Sequence, residues 1–143
     1  MRAERAAASP LTPLLAGAVY FALVFVAGFV LGAVRVLALE PAFGEFRAVA
    51  AETPVMLAIC WFVSGLVVRR FAVAPEPPAR LIMGVSAFAM LILAELALFM
   101  LAFGGAPSQF IAGMTAPAGL LGLAGQLLFA GFPALRLLGR TNL

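Results

Sequence analysis

Apolar residues fill this chain in four long blocks, separated by short clusters of charge, proline and glycine. The blocks lie at about 14–39, 48–68, 81–103 and 118–135. About 20 residues at 1.5 Å rise per residue cross the roughly 30 Å hydrocarbon core of a bilayer. The third block shows the pattern best: LIMGVSAFAMLILAELALFMLAF, Leu81 to Phe103, holds one charge, Glu95. The pattern predicts an all-α fold, an integral membrane four-transmembrane-helix bundle with short interfacial helices in the outer loops.

The interruptions set the boundaries. Residues 1–13, MRAERAAASPLTP, form a short leader. The charge-free stretch behind it, Leu14 to Val34, is longer than a signal-peptide core, which predicts an uncleaved first span. EPAFGEFRAVAAETP is the most polar region; it predicts a turn at Glu40-Pro41, a short helix through Ala51 and a kink at Pro54. The proline-rich link FAVAPEPPAR is too short to fold alone, and its length predicts that it joins neighbouring antiparallel helices. Glycines and prolines between Phe103 and Ala118 end the third span, leaving room for a short interfacial helix over Ser108 to Met114. Residues 139–143 form a tail.

Composition strengthens the membrane reading. The chain is 65% hydrophobic and 10% charged with mean hydropathy +1.16, whereas about a quarter of the residues of a soluble domain are charged. The cations are nine arginines and the acids six glutamates, with no Lys, Asp or His. Without histidine the commonest catalytic base and metal ligand is missing. No catalytic residue, metal or cofactor is predicted, and the chain is not read as an enzyme. Cys60, the only cysteine, sits in an apolar run and reads as a small buried hydrophobe. The arginines stand at segment ends, which reads as topology, not as nucleic-acid binding. Seven flank one side of the four spans and Arg35 and Arg47 the other, predicting a multi-pass protein of the bacterial cytoplasmic (inner) membrane with both termini cytoplasmic.

The small residues Gly28, Gly32, Gly122 and Gly125 sit at spacings that suit close helix packing. The ionisable residues carry the functional question. Glu95 lies about 22 Å above Arg80, Glu52 about 25 Å above Arg69, and Gln126 about 15 Å above Arg136. Arg35 lies near the same level at the outer end of the first span. These depths predict a buried polar cluster of Arg35, Glu52, Glu95 and Gln126, with Glu45 and Arg47 at its rim and Arg35 pairing with Glu95. On one reading the cluster is structural and fixes helix order, in an accessory protein that forms a homo-oligomer or joins a larger membrane complex. On the other, two acids facing one Arg leave a carboxylate to carry a proton or a cationic ligand, as in a small proton-coupled transporter or channel.

The runs GFVLGAVRVLALEPAFGEFRAVAAETPVMLAICWFVSGLVVRRF, RLIMGVSAFAMLILAELALFML and TAPAGLLGLAGQLLFA resemble an uncharacterised family of small four-span bacterial inner-membrane proteins. The resemblance implies the same location and cytoplasmic termini, and it implies no activity. Small multidrug-resistance transporters share the four-span plan and a membrane glutamate. Theirs lies in the first span, where this chain carries Arg35.

Overall fold

Each apolar block becomes a helix. In the computed structural model, which describes residues 9–140, α1 spans Leu11–Val34, continues through a π-helical turn at Arg35–Leu39 and ends as the short α2, Glu40–Phe43. α3 spans Glu45–Arg70, α4 Pro77–Phe103, α5 Pro107–Thr115 and α6 Pro117–Leu135, before a final 3-10 turn at Leu138–Arg140. The described residues contain no strand. Among the described residues four runs are long and apolar enough to cross a membrane: Leu11–Phe43, Glu45–Arg70, Pro77–Phe103 and Pro117–Leu135. Most of the predicted leader and the last part of the predicted tail lie outside the described residues.

Prolines set most of the helix starts. α4, α5 and α6 each open on proline, whose fixed φ suits the first helical position and whose missing N–H needs no partner there. The third span therefore begins four residues before Leu81. α5 covers the short helix expected over Ser108–Met114, and the Ala106 N–H before it donates to Gln109 Oε1 at 2.9 Å.

The turn expected at Glu40-Pro41 lies instead at Gly44, where φ is +84°, a conformation that glycine adopts without steric cost. Pro41 lies inside the continuous helical run, directly after the π-helical turn, where it contributes no backbone donor. The segment through Ala51 is the start of α3, with Pro54 inside it.

Around the bundle the order is α1, α3, α6, α4, each helix packing on the next and α4 on α1. Gly28 faces Met56 and Arg35 faces Glu52, so α1 and α3 run antiparallel. Thr53 faces Gly125 and Gly65 faces Arg136, so α3 and α6 run parallel. Two antiparallel pairs thus stand side by side, α1 with α3 and α4 with α6. The expected neighbour relation across the proline-rich link does not hold: α3 and α4 make no backbone contact and lie across the diagonal.

That crossing is built from a helix end and a buried cation. Val73 N–H bonds Val68 O at 3.1 Å and Ala72 N–H bonds Arg69 O at 3.3 Å, the paired bonds of a Schellman cap, with Val68 and Val73 both in the core. Ala72 occupies the left-handed position at φ +49°, where glycine is usual. Arg80, 3% exposed, then ties the link to its neighbours. It donates to Ala74 O at 3.1 Å, Val73 O at 3.3 Å and Pro133 O at 3.2 Å.

The core occupies one half of the bundle. Ala16, Tyr20 and Val24 from α1, Cys60 and Val67 from α3, Met83, Ala87 and Leu91 from α4 and Phe129 from α6 form one buried cluster. Close approach here depends on glycines other than those expected. A Cβ at Gly17 would strike Ser86, and one at Gly84 would strike the Ala130 carbonyl. At the far end of the cluster Tyr20 reaches across the diagonal, donating to Phe129 O at 2.8 Å, its ring stacked on Phe129 at 4.4 Å. The Phe129 carbonyl would bond the N–H four residues on, but that residue is Pro133, which has none. The tyrosine hydroxyl supplies the missing donor.

Candidate functional site

Beyond the Tyr20–Phe129 contact the helices part. They enclose a cavity of about 740 Å³, floored by Val24, Cys60, Leu91 and Phe129. This is within the range of ligand pockets. Exposed Phe29, Leu37 and Phe103 stand at its margin, making it a vestibule open at the end opposite Arg69, Arg70, Arg80 and Arg136.

The polar groups form two walls. On the first, the π-helical turn sets Arg35: the Glu40 N–H bonds Arg35 O, and the guanidinium pairs back onto the Glu40 carboxylate. Five residues apart on an α-helix, these side chains would diverge; the i→i+5 bonding of a π turn brings them together. The Arg35 Nε also lies 2.6 Å from Glu52 Oε2. That oxygen is buried and accepts no hydrogen bond, so the N–H is not aimed along the contact and the attraction is Coulombic. At the next residue, the Thr53 hydroxyl donates to Val49 O, one turn back along α3, at 2.7 Å.

On the second wall Gln126 of α6 meets Glu95 of α4. The amide Nε2 donates to both carboxylate oxygens, at 2.9 and 2.7 Å. No cation pairs with Glu95 among the described residues.

Arg35, Glu52, Glu95 and Gln126 thus line one cavity, with Glu45 at its exposed lip. Arg47 is exposed and does not line it. The expected pairing of Arg35 with Glu95 does not form, because Glu40 and Glu52 already hold the guanidinium. Counting at 3.6 residues per turn hid Glu40; only the π turn makes it a partner. Gly28, Gly32, Gly122 and Gly125, expected as packing glycines, also line the cavity. A Cβ would have nothing within 4 Å at Gly122 and ordinary contacts at 3.5–3.9 Å at the other three. Their smallness leaves space in the vestibule; the tight contacts between elements are at Gly17, Gly65, Gly84 and Gly119, the last against the α5 backbone at Gly113.

Chemically, the lining carries three carboxylates, Glu45, Glu52 and Glu95, against one guanidinium, within largely apolar walls. Such a site favours a molecule with an apolar body and a positive charge. Among the described residues no group of His, Cys, Asp and Glu is arranged to hold a metal ion.

A second set of residues organises the opposite end. The Arg136 guanidinium lies over the Trp61 ring, 4.1 Å from its centroid, while its Nε donates to Ser64 Oγ at 3.3 Å and its Nη2 to Trp61 O. Trp61 also meets Phe132 edge-on at 5.4 Å, so this indole both packs against α6 and seats a cation. Comparison of the chain with known protein families, curated proteins and solved structures finds no match.

Proposed function

We propose that the chain is a small multi-pass protein of a bacterial cytoplasmic membrane, with its arginine-rich end in the cytoplasm and its vestibule open to the outside. In that vestibule it binds a small amphipathic cation whose charge sits at Glu95. Four helices of spanning length and the uneven distribution of arginines support the placement, which the resemblance to small four-span inner-membrane proteins also implies.

One observation carries the binding reading: Glu95 lines a preformed cavity of about 740 Å³ with the Gln126 amide as its one partner among the described residues. An acid kept at membrane depth facing a cavity marks a ligand or ion path. A proton and a cation compete for that carboxylate, and this competition is the coupling that a small proton-linked transporter needs.

The test is equilibrium binding of tetraphenylphosphonium to the purified chain in nanodiscs. Wild type binds saturably and releases protons on binding, and Glu95→Gln loses about tenfold or more in affinity while keeping its melting temperature. Equal affinity of Glu95→Gln and wild type contradicts the reading.

An accessory role is the second reading, favoured by the internal use of Arg35, which ties α1 to α3 through Glu40 and Glu52. On this reading the bundle serves a homo-oligomer or a larger membrane complex. Wild type then binds no cation, and Arg35→Ala fails to assemble.

A further inference from the structure

A second pocket lies at the opposite end, where the α3–α4 link crosses the bundle. It holds about 450 Å³ and is lined by Arg69, Arg80 and Arg136 together with Gly65, Ala72 and Val73 among others, and no carboxylate among the described residues lines it. The arginines come from three different elements, and each is placed by local structure. Arg69 lies in the last turn of α3 and is exposed. Arg80 forms the back wall, fixed by the carbonyls of Val73, Ala74 and Pro133. Arg136 is seated on Trp61 and Ser64, and Gly65 makes the room: a Cβ there would lie within 2.7 Å of the guanidinium.

Three guanidinium groups around one hollow repel one another. Partial burial and then the like charge of Arg69 hold the Arg136 guanidinium below the usual arginine range. The left-handed turn at Ala72 folds the link back beside the pocket, so the mouth is framed by backbone as well as by side chains. Exposed Leu66, Leu81, Leu135 and Leu138 stand on the same end of the bundle. A planar donor fork suits the oxygens of phosphates and carboxylates, and basic pockets between helices on the cytoplasmic side of a membrane suit the phosphates of lipid headgroups.

We propose that this pocket binds a phosphate diester or monoester, supplied by the headgroup of an anionic membrane lipid. The proposal shares with the proposed function only the membrane placement; the vestibule and Glu95 lie at the other end and play no part in it.

The experiment measures lipid affinity of the full chain in mild detergent by native mass spectrometry, titrating phosphatidylglycerol against phosphatidylcholine. Arg70, in the same helix turn but outside the pocket lining, serves as the control for general surface attraction. The expected result is preferential retention of phosphatidylglycerol, a loss of about fivefold or more in Arg69→Gln and in Arg136→Gln, and little change in Arg70→Gln and Glu95→Gln. Arg69→Gln, which removes an exposed side chain, keeps the test meaningful if Arg136→Gln fails to fold. Displacement of phosphatidylglycerol by millimolar inorganic phosphate supports the site and assigns it to a soluble phosphate. Equal losses in Arg69→Gln and Arg70→Gln, or no preference over phosphatidylcholine, overturn the proposal.

Discussion

Gln126 and Glu95 meet across the α4–α6 interface, one amide nitrogen serving both carboxylate oxygens at 2.9 and 2.7 Å. The contact holds the carboxylate in one orientation at the cavity wall without cancelling its charge. Removing the amide while keeping the acid separates orientation from charge. Gln126→Leu therefore costs about 1.5–3 kcal/mol of stability, as expected for a hydrogen bond to a charged group. Chemical denaturation in mixed micelles checks this, and a loss below the measurement error counts against the contact.

The opposite wall predicts a different pattern. Arg35 and Glu52 keep 26% and 16% of their side chains exposed, so their pairing is screened relative to a fully buried ion pair, whose disruption costs about 3–5 kcal/mol. Arg35→Ala is expected to cost about 2 kcal/mol, and Glu52→Gln to recover part of that loss in the double variant. Additive effects of the two substitutions would show that the pair is not coupled.

The Tyr20 hydroxyl serves a carbonyl that Pro133 leaves without its helical donor. Tyr20→Phe thus strands a buried acceptor and costs about 1–3 kcal/mol. The same change made on a Pro133→Ala background costs less, because the alanine N–H restores the helical bond. An unchanged cost on that background would mean that the proline is not the cause.

The glycines divide into two classes with opposite expected effects. Gly84→Ala drives a Cβ into the Ala130 backbone and costs about 1–3 kcal/mol as the α4 and α6 helices separate. Gly122→Ala meets open space and gains up to about 1 kcal/mol of helix propensity. Thermal melts of the two variants should shift in opposite directions. Ala72→Gly, at the left-handed end of α3, is expected to stabilise by about 0.5–1 kcal/mol after the flexibility of the unfolded glycine is subtracted.

The four helices were legible because unbroken apolar runs leave few alternatives, but their starts came earlier than expected, at Leu11 and Glu45 as well as at Pro77 and Pro117, where proline opens the helix. Depth along each helix was partly legible, since rise per residue is constant: it brought Arg35, Glu52 and Glu95 to a similar level but put Gln126 about 7 Å below the acid that it bonds. Direction around each helix was not. A π turn after Val34 changes the residue spacing locally, and nothing in RVLALEP announces it, so the role of Glu40 was missed. Helix order was also hidden: a short link suggests neighbours, yet this one crosses the diagonal because buried Arg80 satisfies the link's carbonyls. The GxxxG spacing of Gly28 and Gly32 marks a small-residue face without saying whether a helix or a void lies against it.

The central claim is that a solvent-reached vestibule lies between the Arg35–Glu52 and Glu95–Gln126 walls. Its most direct measurement is cysteine labelling on a Cys60→Ala background in oriented vesicles. Gly122→Cys puts a thiol in the open part of the cavity lining, and Leu93→Cys puts one on the exposed outer face of α4. A membrane-impermeant thiosulfonate added outside will modify the thiol at position 122, tetraphenylphosphonium will slow that reaction, and the thiol at 93 will stay unmodified. A thiol at 122 as unreactive as that at 93 would contradict the account.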